Sequence, residues 1–380
     1  MSSFWERKRV LSFAREAGGA DAIGPVLKCL VDHGAACEVL ANGPAIDRFK
    51  TQNIHIRQIQ SYSDSNIEEL CLRSFGQLPD IVFTSAASLP NLDMTERNLW
   101  KWSSNRKLPA AALLDQWQNY AIRFSGIDVN ERLTFQPDRI IVMDEIARSE
   151  ARAEGLPDFR LRVGGQPAFE AFRQALNKDH ISRIRAELAS SVPRCILLFA
   201  AESFRKDFNG ILPYDEFTTL QFLIETLNES SKIPVFPPIS LAIKLHPQNS
   251  RNEFDDTIRL ARFPVQVFQS EEHPINLIGA ADIVLGMSSV LLIHSMISKK
   301  PTVCLELGAI GESQFIGSRI DAVPSLREPK AAKDTILRLI TEPDERQKQL
   351  LRQSVWPSDW SKSVWSILQH LEQLLKEHTA

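Results

Sequence analysis

The chain has 380 residues, 43% hydrophobic and 24% charged, with a formal net charge of −3. That length suits two domains of roughly 170–190 residues each, and the near-neutral balance gives no sequence-wide attraction to nucleic acid or an anionic membrane surface. The five cysteines (Cys29, Cys37, Cys71, Cys195, Cys304) are scattered with no CxxC pair, which argues against a disulfide scaffold or a zinc site and fits a reducing cytoplasm.

Cys29, Cys195 and Cys304 lie in apolar runs and read as buried thiols. The opening MSSFWERKR leads into an apolar run of about six residues, too short for a signal peptide or a membrane span.

Arg9–Ala14 (RVLSFA) reads as a first strand, Arg15–Ala20 as a flexible glycine loop, Asp21–His33 as a helix and Cys37–Leu40 as a second strand, which makes a βαβ unit. Gly18 and Gly19 either let a ligand approach the backbone or serve a turn that needs positive φ; the loop is not a GxGxxG fingerprint. Further strands are expected at Ile54–Arg57, Ile81–Thr84, Ala110–Leu114, Arg139–Met143 and Arg160–Val163. Helices are expected between them, near Asn42–Thr51, Asn66–Phe75, Thr95–Ser104 and Glu145–Glu154. Phe169–Ser190 reads as a mainly helical bridge.

A second alternating series starts at Cys195–Ala200 and runs through strands Ser240–Leu245, Val265–Phe268, Ile283–Leu285 and Pro301–Leu305. Its helices are expected near Phe217–Asn228, Glu253–Ala261, Pro274–Ile278 and Val290–Ile297. The tail carries two helices, the last over Asp359–Glu377 with Ser358 or Asp359 as its cap. Strands alternating with helices predict parallel sheets wrapped on both faces. The expected division is 1–172, 173–355 and a final helix within 356–380.

Three places invite chemistry. Gly286-Met287-Ser288-Ser289 joins a strand directly to a helix, so free N–H groups and the positive helix end favour an anion such as a nucleotide diphosphate. An ordinary turn capped by Ser288 or Ser289 is the alternative. Lys244-Leu245-His246-Pro247 ends a strand at Pro247, leaving an imidazole at the sheet edge, with Lys244 on the same face. A capped loop histidine and a solvated lysine are the alternative there. Asp115 closes AALLD and reads as a partly desolvated base or as a cap for a helix from Gln116, while Trp117 and Tyr120 could wall a sugar or base.

Weaker signals are Glu202-Ser203-Phe204-Arg205-Lys206, whose cations could hold phosphates or simply be solvated, and Glu306, a ribose acceptor or a partner for Lys299 or Lys300. His294 on an apolar helix reads as a core residue. No triad order or P-loop is legible, and His180, His246, His273 and His294 are too dispersed for a metal site.

These pieces together resemble the GT-B superfamily of nucleotide-sugar enzymes. Ala17-Gly18-Gly19-Ala20 looks like that superfamily's first glycine loop. KLHP at 244–247 is similar to the Lys-x-His-Pro of bacterial capsule and teichoic-acid polymerases and to the histidine of non-hydrolysing UDP-N-acetylglucosamine 2-epimerases. GMSS looks like the serine loop that holds the donor diphosphate, and Glu202–Arg205 sits where the epimerases place a donor loop. The epimerases' Glu-Glu pair is replaced by Ile293 and His294, and their catalytic strands are not reproduced.

The resemblance implies two Rossmann-like doubly wound α/β domains facing a cleft, the donor nucleotide (UDP- or CMP-linked) in the second and the sugar or acceptor in the first. It implies metal-independent glycosyl transfer to a glycan or lipid-linked acceptor, in the cytoplasm and as part of cell-surface polysaccharide synthesis, with no cofactor beyond the co-substrate. Asp115, Glu16 and His246 would be catalytic. Gly18, Gly19, Glu202, Ser203, Arg205, Lys244, His246, Gly286, Ser288, Ser289 and Glu306 would bind the donor. Epimerisation or hydrolysis on the same fold, and non-catalytic nucleotide-sugar binding, are the alternative functions; a homodimer is left open.

Overall fold

A computed structural model of the chain describes residues 2–60, 62–189, 194–230, 233, 235–269, 271–357 and 359–379. Their strands form two sheets, each parallel throughout. The fold is of the GT-B type, with two Rossmann-like units. One runs to Ala171 and takes the chain back from Trp360; the other is Phe172–Asp359.

The first unit's sheet contains β1 (Arg9–Ala14), β2 (Ala36–Ala41), β3 (Arg57–Gln58), β4 (Ile81–Thr84), β5 (Ala110–Leu113), β6 (Arg139–Val142) and β7 (Leu161–Val163). Its order is β3-β2-β1-β4-β5-β6-β7. The inner strands β4, β5 and β6 are buried at every residue, as parallel strands covered on both faces must be. Helix α1 (Ala17–Asp32) follows β1 and helix α2 (Thr95–Asn105) follows β4.

The second unit's sheet contains β8 (Cys195–Ala200), β9 (Ile239–Lys244), β10 (Val265–Phe268), β11 (Ile283–Gly286), β12 (Thr302–Leu305) and β13 (Ser325–Leu326), in the order β10-β9-β8-β11-β12-β13. Helix α3 (Val290–Ile297) follows β11. In both sheets the order reverses beside the first strand, so β1/β4 and β8/β11 flank the points where α/β sheets open a crevice.

Helix α4 (Ser363–Thr379) closes the first unit. Its Ile367, Leu368, Leu371, Leu374 and Leu375 join one core with Ile23, Val26, Leu27 and Leu30 of α1. The second core gathers β8, β9 and β11 residues with Leu223, Ile224 and Ile336 from the covering helices.

Several boundaries differ from expectation. The loop expected over Arg15–Ala20 is already helix from Ala17. The strand expected at Ile54–Arg57 shrinks to an edge pair, Arg57–Gln58, on β2. The bridge over Phe169–Ser190 is two helices, Pro167–Gln174 and Lys178–Ala189; Ser190 lies outside the described residues, as does the expected cap Ser358. The helix expected at Glu253–Ala261 is a 3-10 turn, Arg251–Phe254, and one α turn, Asp255–Ile258. The tail holds helices Pro329–Thr341 and Pro343–Gln353 before α4. All five cysteines are free; Cys195 and Cys304 are buried and Cys29 is half-buried.

Candidate functional site

In the first unit the loops after β1, β4 and β5 line a cavity of about 190 Å³, with Glu16, Gly18, Gly19, Ser85, Asp115 and Arg123 among its walls. The glycines are explained by proximity. A Cβ on Gly18 would sit 2.3 Å from Asp115 Oδ2, and one on Gly19 2.5 Å from Ser85 Cβ. Neither adopts positive φ, so the turn-type explanation is set aside. Only glycine lets α1 start this close to the ends of β4 and β5, and the positive end of its dipole faces the Asp115 carboxylate.

Asp115 Oδ1 accepts from Arg123 Nη1 at 3.0 Å, with both side chains nearly buried. Arg123 also donates to the carbonyls of Ala86 and Gln118, and Gln166 donates to the Asp115 carbonyl at 2.9 Å. The carboxylate is therefore fixed in direction at the cavity wall. It does not cap a helix from Gln116, because the next helix is Tyr120–Arg123. Trp117 and Tyr120 are core residues, not a sugar wall: Trp117 is stacked on Phe169 and donates to Asp144, and the Tyr120 hydroxyl bonds Glu150. Glu16 sits at the N-cap of α1 without capping it and pairs with Arg15.

Sequence reasoning missed Ser85, Glu96 and Arg123. Glu96, on α2, is 2% exposed and accepts from the Ser85 hydroxyl and the Ala87 N–H. Burial pushes its carboxyl up to about 7, against the pull of those hydrogen bonds and of Arg97. Arg97 is wholly buried and donates to the carbonyls of Ala87, Ile122 and Ser125, tying two cavity loops together. A signal existed: Glu96 precedes Trp100 by four residues, so it shares the buried face of α2.

In the second unit the three motifs meet at one sheet edge. Lys244 pairs with Ala200, Ala200 with Gly286 and Gly286 with Cys304 in a single row. KLHP and GMSS are thus two strands apart, about 10 Å at ordinary strand spacing, and β8 with its Glu202 loop runs between them. The anion-friendly turn exists, but the chain itself supplies the anion. Glu202 accepts from the N–H groups of Met287 and Ser288 at 3.2 and 2.9 Å and from the Ser288 hydroxyl at 3.0 Å. Burial pushes the Glu202 carboxyl up to about 7, opposed by those donors and by the Ser289 N–H. Ser289 is the N-cap of α3, accepting from the Leu291 N–H at 3.2 Å. Gly286 packs tightly, a Cβ there meeting the Ala200 carbonyl at 3.2 Å.

The remaining expected donor contacts turn inward. The Lys244 ammonium is buried and donates to the carbonyls of Leu245 and Gln269. Strand β9 ends at Lys244, so the alternation that would align it with His246 stops first. His246 is half-buried, its Nδ1 accepting from the Gln248 N–H at 3.3 Å. Burial lowers its pKa, Asp207 opposes this, and Lys244 and Lys206 add to it. Ser203 bonds Asp207, and Arg205 is held by Asp215 at 2.7 Å and stacks on Phe217.

Glu306 is engaged by the protein's own donors. It is 1% exposed and accepts from the Gln314 N–H and the Ser325 hydroxyl, with Arg327 beside it. It does not meet Lys300, whose ammonium bonds the carbonyls of Gly279 and Ala281. His294 is a core residue stacked on Phe172 at 3.6 Å, its pKa pushed down to about 3 by burial. Among the described residues no group of three or more acidic, histidine or cysteine side chains could hold a metal ion, and no helix is long and apolar enough to cross a membrane.

No family model matches the sequence, and no curated protein matches it. Solved structures do. An inferred UDP-N-acetylglucosamine 2-epimerase of Listeria monocytogenes aligns over 98% of this chain and 97% of its own, at 13% identity and a TM-score of 0.69. The UDP-GlcNAc 2-epimerase of Neisseria meningitidis bound to UDP-GlcNAc aligns over 97% of this chain and 100% of its own, at 17% identity and TM-score 0.65. The Anabaena protein HepE in complex with UDP and glucose aligns over 98% and 100%, at 13% identity and TM-score 0.62. At these identities the likeness carries the fold.

Proposed function

We propose that the protein is an enzyme acting on a UDP-linked sugar, with the sugar in the first unit's cavity and acid–base chemistry centred on Asp115. The observation that carries this reading is the carboxylate–guanidinium pair Asp115–Arg123 at the wall of a cavity where the strand order reverses. A carboxylate held by Arg123, on a backbone whose carbonyl is fixed by Gln166, is suited to take a proton from a sugar. Glu16 is the second carboxylate on the same cavity.

The nucleotide diphosphate is assigned to the second unit, at the edge formed by Gly286, Ser288, Ser289 and His246. There it competes with Glu202 for the Ser288 donors. Protonation of Glu202, or rotation of its side chain, frees them.

Whole-chain likeness to UDP-GlcNAc 2-epimerases favours an acceptor-independent reaction, epimerisation or hydrolysis, over the glycosyl transfer expected from sequence. Transfer is the second reading, favoured by the likeness to a protein crystallised with UDP and glucose. Incubating the protein with UDP-GlcNAc and UDP-glucose without acceptor, followed by NMR of the products, separates the two. An epimer or a free sugar supports the first, and turnover that requires an added glycan supports the second. Asp115→Asn is expected to bind UDP-GlcNAc and to turn it over at least 100-fold more slowly. No thermal shift with UDP, UDP-GlcNAc or UDP-glucose at millimolar concentration, together with no turnover, overturns the proposal.

A further inference from the structure

Behind the cavity wall stands a buried pair that acid–base chemistry at Asp115 does not use. Ser85 is 1% exposed, yet lines the cavity, and its hydroxyl donates to Glu96. A serine hydroxyl has one proton and two lone pairs. With its proton given to Glu96, it can only accept from a ligand. Glu96 cannot turn away, because its other oxygen holds the Ala87 N–H and Arg97 flanks it.

We propose that Glu96 is a positioning residue that makes Ser85 an obligate hydrogen-bond acceptor, so that the cavity selects a ligand presenting hydroxyl or amide N–H donors at that point. The inference rests on reading the cavity as a sugar site. Asp115 and Glu16 line the same cavity of about 190 Å³ and accept too, beside the donor Arg123, a mix that suits the hydroxyls of a polyol.

The polarity reverses with the charge on Glu96. Once protonated, Glu96 donates to Ser85, whose own proton turns toward the cavity. Arg97 and Asp93 are the charged groups facing Glu96 from its own segment. From the Tyr120–Arg123 helix, Arg123 acts on Arg97 and is itself paired with Asp115. Glu96→Gln imitates the protonated form: its carbonyl takes the Ala87 N–H and its amide donates to Ser85.

The test is UDP-GlcNAc affinity by calorimetry between pH 6 and 8.5 for wild type, Glu96→Gln and Ser85→Ala, with UDP as the sugar-free control. Relative to UDP at the same pH, which cancels the titration of Glu202 at the diphosphate, wild type is expected to bind UDP-GlcNAc about fivefold more weakly at pH 6 than at pH 8, the usual effect of one hydrogen bond. On the same ratio Glu96→Gln is expected to sit at the weak limit throughout, with its UDP affinity equal to wild type at each pH. Ser85→Ala removes the same pH dependence. A Glu96→Gln profile that tracks wild type overturns the proposal.

A ligand-free measurement keeps the test apart from the sugar reading. The Glu96 side-chain carboxyl carbon, assigned by its loss in Glu96→Gln, is followed by NMR over pH 5–9. It should titrate near 7 in wild type and higher in Ser85→Ala, which lacks the donor that favours the charged form. A midpoint that Ser85→Ala leaves unmoved overturns the proposal even if no nucleotide sugar binds.

Discussion

The two sheets share one strand order around their switch points, and both place a buried glutamate against a serine there, yet one glutamate stands behind a cavity and the other lies across a helix start. In the first unit Glu96 reaches Ser85 from α2, behind the wall, and leaves a cavity in front. In the second unit Glu202 comes from the crevice loop after β8 and lies across the N–H groups that start α3. A shared backbone plan therefore does not decide what a crevice holds. The side from which one carboxylate arrives does.

The comparison is broken most severely at Arg123. Arg123→Met strands the nearly buried Asp115 carboxylate and frees the Ala86 carbonyl. The expected loss is about 3 kcal/mol of stability, the usual cost of removing one partner from a buried pair, read as a lower urea midpoint. A loss under a third of that figure would show that the open crevice does not depend on the pair.

Glu202→Gln sharpens the contrast through pH. The folded Glu202 carboxyl is raised from 4.5 to about 7, so the folded state keeps a proton that the unfolded chain gives up in that window. Stability then falls as pH rises from about 4.5 to 7, by at most about 1.4 kcal/mol per pH unit for this group. The variant should lose that part of the slope in urea titrations run across the window and should bind UDP more tightly at pH 8. An unchanged slope and unchanged UDP affinity would mean that Glu202 does not guard the turn.

Ser289→Ala gives the smallest effect. It removes the N-cap of α3 and should cost about 1 kcal/mol in thermal melts. A further loss of UDP binding in that variant would show that the hydroxyl also meets phosphate.

Much of the fold was legible because inner parallel strands are continuous apolar runs. RVLSFA, IVFT and CILLFA are strands over the expected residues. The edge strands β3 and β13 were not, since Arg57–Gln58 and Ser325–Leu326 are two residues each and carry no periodicity. At the site, Asp115 and the glycines stood out as polar or small residues after apolar runs. Arg123 did not, because it pairs with Asp115 through a loop whose path no local pattern encodes. Glu202 was read as part of a cation-rich segment, whereas its partners lie 85 and 86 residues away.

The return of α4 to the first unit bears on how the protein is made. On the ribosome, residues up to Ala171 emerge with their strands complete but with the apolar side of α1 still lacking Leu371, Leu374 and Leu375. The intervening 188 residues, Phe172–Asp359, must be synthesised before that surface is covered. A nascent chain paused midway would therefore display a sticky helix flank, and holdase chaperones should be found bound there until translation passes the final helix.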